Sequence, residues 1–129
     1  MVKSAYDMSS PGVAVTHFDK QAFIRRIAIE NQSDQHGLQV LWSRHATARL
    51  VDYDLHRVEV EAALARCIVI ENYPIVHRPL PDCLVLAYLG TGDPMHAVIA
   101  IDEAMKRLFV VTLYRPSPER WQDDWRTRK

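Results

Sequence analysis

Hydrophobic positions along this chain change period once, from helical spacing in the first half to near-continuous runs in the second. Residues 1–15 mix Ser, Pro, Gly and isolated apolar residues without a period, which reads as a loosely held arm. Thr16 has the character of a helix N-cap, with Asp19 three residues on in a partial capping box. A helix from His17 to about Asn31 comes next, and Phe23, Ile24, Ile27 and Ala28 form its apolar stripe. The polar stretch from Gln32 to Gly37 breaks it. Leu38 to Trp42 is a short apolar segment, either a strand or the lead-in to the next helix. Ser43 is a good N-cap for a helix from Arg44 to Tyr53, with Ala46, Leu50 and Tyr53 on one stripe. Asp54 is expected to cap a further helix, His56 to Arg66, that buries Val58, Ala62 and either Leu64 or Ala65. Two short helices in succession predict an αα-hairpin or a bent pair.

From Cys67 the period switches. Cys67 to Tyr73 is a β-branched run, and the three prolines within 74–82 mark a loop. Cys83 to Leu89 is apolar at nearly every position, as a central strand buried on both faces would be. Met95 to Asp102 and Leu108 to Tyr114 are further strands, separated by short turns, so the last three strands predict an antiparallel meander. Ser117, with Pro118 and Glu119 after it, reads as the start of a C-terminal helix whose far end carries Arg126, Arg128 and Lys129. The expected fold is therefore one α+β domain over 16–129. Its N-terminal helices pack on one face of a four-stranded, mainly antiparallel sheet, with a C-terminal helix.

Composition narrows the function without naming it. Lys plus Arg and Asp plus Glu both number 16, so the formal charge is zero. That argues against a non-specific nucleic-acid or anionic-membrane binder, although a local basic cleft remains compatible. Cys67 and Cys83 sit inside apolar runs and read as buried structural thiols, a disulfide being open only if their strands are neighbours. No apolar leader and no membrane-length run is present, which makes the cytoplasm the default compartment.

Candidate chemistry starts with what is missing. The six His lie at 17, 36, 45, 56, 77 and 96, without His-x-x-x-His or Cys-x-x-Cys spacing, so a structural zinc is not expected. The Gly90-Thr91-Gly92 turn lacks the following helix of a phosphate loop, and no cofactor is implied. A His/Arg/Tyr set remains. His45 and Arg49 are four apart on a predicted helix and share a face. His96 shares a strand face with Val98, Ala100 and Asp102, while Thr112 and Tyr114 share one on the last strand and Arg115 takes the other. A hairpin of 95–102 with 107–114 would bring His96 near Thr112 to Tyr114, the register itself being open. The plainer reading stands beside this one. His45 and Arg49 then form a solvated face, His96 is a core histidine with one hydrogen bond, and the Tyr114 ring closes the core. Trp121 and Trp125 would dock the last helix, and Trp42 would be core.

These residues lie in segments that resemble a known group. WSRHATARL at 42–50, PDCLVLAYL at 81–89, PMHAVIAID at 94–102 and VTLYRPSPERW at 111–121 are similar, in order and spacing, to the bacterial domain-of-unknown-function family 4258. The similarity runs over roughly residues 40–126, about two thirds of the chain. The family's helix-then-sheet layout resembles the small ribonuclease fold of RelE-type toxins and of barnase-like and colicin-like toxin domains. The resemblance implies RNA cleavage through 2′-hydroxyl attack, with imidazoles as acid and base, an Arg clamp on phosphate and a hydroxyl donor. On that reading His45, His96, Arg49 and Tyr114 are the catalytic candidates, and Arg115, Thr112 and Arg44 bind substrate. RNA and an antitoxin or other protein are the implied partners, with a homodimer also open. The rival is a non-catalytic interaction module, regulatory or immunity-like, whose first helix mediates docking or dimerisation. A third option is hydrolysis of a small nucleotide. Strongly basic ribosome-acting toxins differ from this neutral chain, which weighs against ribosome-dependent cleavage more than against cleavage of free RNA.

Overall fold

Asp19 accepts the N–H of Ala22 at 3.0 Å, satisfying one of the orphan donors at the start of helix α1 (Lys20–Ser33). This holds in a computed structural model that describes residues 19–33, 38–73 and 79–129. Thr16, His17, the arm at 1–15 and part of the proline loop lie outside the described residues. Phe23, Ile24, Ile27 and Ala28 are all buried, so the stripe of α1 packs the core.

Chain order continues with β1 (Val40–Trp42), α2 (Arg44–Tyr53), α3 (Arg57–Leu64), β2 (Ile68–Tyr73), β3 (Asp82–Tyr88), β4 (Pro94–Asp102) and β5 (Arg107–Tyr114). Ser43 caps α2, accepting the Ala46 N–H at 2.9 Å while its hydroxyl donates to the Val111 carbonyl at 2.7 Å. Asp54 closes α2 from the left-handed region (φ 54°) and does not open α3 as expected. At the start of α3 the Glu59 side chain accepts the His56 N–H at 3.2 Å. Val60, Ala63 and Leu64, at i, i+3 and i+4, face the core. Val58 therefore falls on the opposite side, 73% exposed, against the expectation that it is buried.

The expected four-stranded sheet with a C-terminal helix is corrected on two counts. The sheet has five strands in the order β1-β5-β4-β3-β2, and the β1–β5 pair is parallel. The Asn31 side-chain oxygen explains the extra strand. It accepts the N–H groups of Gln39 and Val40 at 3.0 and 3.2 Å, which holds the segment against α1 with its other edge free to pair. The second correction concerns the tail. Arg120 and Trp121 both donate to the Ser117 carbonyl, so the cap signal makes a single turn. The chain then reverses through Trp125 (φ 59°), and Trp121 bridges Arg128 in an antiparallel hairpin. Asp124 stabilises the reversal by accepting the N–H groups of Arg126 and Thr127 at 2.9 and 3.0 Å. A continued helix would have to give up these bonds and the burial of Trp121, which is 2% exposed.

Strands β3 to β5 form the expected antiparallel meander, and β2 adds a further antiparallel strand beside β3. Cys83, Val85, Ala97, Ile99, Leu108 and Val110 face the helices in one core. Cys67 and Cys83 are free and buried, and burial pushes both thiols up to about 12. No helix among the described residues is long and apolar enough to cross a membrane.

Candidate functional site

The site is built where β5 ends. Its pairing with β4 slips between Val98 and Ile99, because Thr112 and Val110 are their respective partners and Val111 is left over. The Val111 carbonyl goes to Ser43, and beyond the bulge Thr112 and Tyr114 lie on the face of the sheet that the helices leave uncovered. There Tyr114 pairs directly with His96.

His96 is fully buried. One ring nitrogen, Nε2, lies 2.7 Å from the Trp125 carbonyl, and Nδ1 lies 3.0 Å from the Tyr114 hydroxyl. A carbonyl can only accept, so Nε2 carries the proton. In the neutral ring Nδ1 is then an acceptor, and the Tyr114 O–H donates to it. Burial holds the imidazole below its ordinary value, only partly offset by the Trp125 carbonyl and the Glu71 carboxylate, so the neutral form is the resting one. The Tyr114 and Trp121 rings meet the imidazole edge to face, with centroids 5.2 and 4.4 Å away.

Above Tyr114 opens a cleft of about 410 Å³, lined by Arg49 of α2, Thr112–Arg115, and Ser117, Arg120, Trp121 and Arg128 of the C-terminal hairpin. Four guanidiniums and no carboxylate line it among the described residues. Arg49 donates to Asp52 at 3.1 Å, while its Nε is shielded from water and has no hydrogen-bond partner among the described residues. Arg115 lies 3.6 Å from Asp93, and it shares the ring of Tyr53 with Arg49, at 5.7 and 5.5 Å. Arg128 grips Glu71 through two bonds, at 2.6 and 3.0 Å, and lies 4.7 Å over Trp121. That grip holds the Glu71 carboxyl below its usual range. Burial raises the Tyr114 phenol, against the pull of Arg128 and Arg120.

Of the residues singled out in the sequence, Arg49, Thr112, Tyr114 and Arg115 gather in this cleft. His96 does not line it and meets it through Tyr114 and Trp121, which do. His45 and Arg44 are exposed at the start of α2 and do not line the cleft, so the two imidazoles are not brought together. Ser117, Arg120 and Arg128 were missed as cleft residues because the tail reads locally as a helix. The recurrence of Arg at 115, 120, 126 and 128 was the available signal.

No curated protein and no solved structure matches the chain. A family model does match over residues 42–115, a segment that carries Arg49, His96, Tyr114 and Arg115 and ends before the hairpin. The chain belongs to that family, described as Domain of unknown function (DUF4258).

Proposed function

We propose that the cleft cleaves RNA, with Tyr114 and His96 acting as a two-step proton relay. The observation that carries this reading is the Tyr114 hydroxyl, which sits among guanidiniums and donates its proton to a buried neutral imidazole. Arg49 and Arg115, held together by the Tyr53 ring, supply the forked donors that a phosphodiester needs. A ribose 2′-hydroxyl placed against Tyr114 gives its proton to the phenol oxygen as the phenol proton passes to His96 Nδ1. The 2′-oxygen attacks its own phosphorus, the bond to the 5′-oxygen breaks, and a water in the open cleft protonates that oxygen. The products are a 2′,3′-cyclic phosphate and a 5′-hydroxyl. His96 returns its proton through Tyr114 to the hydroxide that this water leaves, which restores water and the neutral imidazole. The cations stabilise the charge that develops on the phosphorane. They also repel a divalent metal from the same space, which favours chemistry carried by the side chains themselves.

The test is cleavage of a short RNA and of its counterpart carrying 2′-deoxyribose at each position. The expected result is cleavage of the first only, leaving cyclic phosphate ends. Tyr114→Phe should lower the rate at least 100-fold, the scale of one acid–base group, while binding persists. Undiminished cleavage by Tyr114→Phe would overturn the relay. Absence of cleavage by the wild type would overturn the reading as a whole.

A further inference from the structure

The C-terminal hairpin builds one wall of the cleft, yet it lies beyond the segment that the family model matches. Its cations are not equivalent. Arg128 is consumed by Glu71 and stacks on Trp121, which makes it a fastener. Two further attachments hold the hairpin to the sheet, the His96 bond to the Trp125 carbonyl and the burial of Trp121. Arg126 faces a separate hollow beside Val69 and Ile70. Arg120 lines the cleft, is exposed, and has no acidic partner among the described residues, unlike Arg49, Arg115 and Arg128. Ser117, one turn before it, lines the same wall, and its carbonyl accepts the Arg120 N–H at 3.1 Å. A rigid wall that offers one uncompensated guanidinium and one hydroxyl beside three charge-balanced guanidiniums suits a second anionic group of the same ligand.

We infer that Arg120 and Ser117 form a phosphate subsite, taking a nucleotide phosphate next to the one held by Arg49 and Arg115. The subsite makes the ligand a phosphorylated nucleotide or an RNA with at least two adjacent phosphates. This deepens the RNA-cleavage reading and rests on it for the identity of the neighbouring phosphate. The subsite holds a phosphate beside the reacting one, so it binds ground and transition states alike, and the gain should appear in affinity rather than in turnover.

Two measurements on the full chain separate this inference from the cleavage reading. In the first, inorganic phosphate is titrated while backbone amide shifts are followed in the wild type, Arg120→Ala, Arg120→Lys and Arg126→Ala. Arg126→Ala makes the same change in net charge on the same hairpin, outside the cleft. The expected result is saturating shifts at Ser117 and Arg120 that weaken at least tenfold in Arg120→Ala, partly recover in Arg120→Lys, and persist in Arg126→Ala. In the second, uridylyl-uridine is compared with the same dinucleotide bearing a terminal phosphate. The added phosphate should lower KM at least fivefold in the wild type and leave it unchanged in Arg120→Ala, with kcat alike. Equal phosphate affinity in Arg120→Ala and Arg126→Ala overturns the subsite, even if RNA is cleaved. Phosphate binding that depends on Arg120 in a protein that cleaves neither dinucleotide supports the subsite and overturns the cleavage reading.

Discussion

His96 is a titratable side chain with no access to water, and the fold has to hold it neutral. Its ring satisfies both nitrogens in that form, one on the Trp125 carbonyl and one on the Tyr114 hydroxyl. In the unfolded chain the same imidazole takes up a proton below its ordinary value of 6.5, and burial prevents this in the fold. The unfolded state then binds more protons, so stability falls as pH drops below about 6.5 and rises again on return to neutrality. Glu71 has the carboxylate pattern instead. Its contribution is complete above 4.5 and is lost as pH falls through its depressed folded value. Between pH 7 and 5 the His96 effect therefore acts ahead of the Glu71 one. Urea midpoints measured across that range should decline in the wild type and decline less in His96→Gln. Parallel declines in the two proteins would show that the cost of burying His96 neutral is not what sets the pH response.

Among the elements, β1 depends on one buried polar cluster. The Glu61 carboxylate of α3 accepts Asn31 at 3.0 Å and the Trp42 indole N–H at 2.8 Å, and Arg57 lies 3.5 Å away. Asn31 in turn holds the backbone of Gln39 and Val40. Glu61→Ala would strand the Asn31 amide and the Trp42 indole, each an unmet donor that costs about 1–3 kcal/mol. A loss of about 2–4 kcal/mol is expected by urea denaturation, against a smaller loss in Glu61→Gln, which keeps an acceptor. A loss below about 0.5 kcal/mol, the range of an ordinary surface change, would mean that the cluster does not stabilise the edge. This dependence also explains why β1 is ambiguous in the sequence. Three residues of Leu38–Trp42 are too few to display a period, and their parallel partner lies more than sixty positions away. By contrast α2 was legible in full, because the Ser43 cap and the Ala46–Leu50 stripe are local signals. The tail misled for the same reason. Ser117, Pro118 and Glu119 do start a turn, but the path of the chain beyond it is decided by Trp121, His96 and Asp124 in three dimensions. The site divides likewise. That His96 lies near Thr112 to Tyr114 was readable once a hairpin was assumed, whereas its pairing with Tyr114, which the Val111 bulge sets, and the Arg120 wall were not.

Across the whole molecule, zero net charge and a cleft lined by guanidiniums are compatible because carboxylates outside the cleft pair with most of its arginines. Asp52, Asp93 and Glu71 each pair with one cleft arginine, so little of that positive charge is felt far from the cleft. Long-range attraction for a polyanion should then be weak, and binding should count only the phosphates that enter the cleft. Affinity of a protein for a single strand generally falls by about 0.7 logarithmic units per neutralised phosphate for each tenfold increase in salt. With Arg49 and Arg115 on one phosphate and Arg120 on the next, two phosphates are neutralised, and the slope of log K against log salt should lie near about −1.4. Arg120→Ala should flatten it by about 0.7, while Arg126→Ala should leave it in place. Measuring affinity for a short uridine oligomer from low to physiological salt checks this. A slope steeper than about −4 would require a basic surface well beyond the cleft, and it would overturn the view that this neutral domain meets RNA at a single pocket.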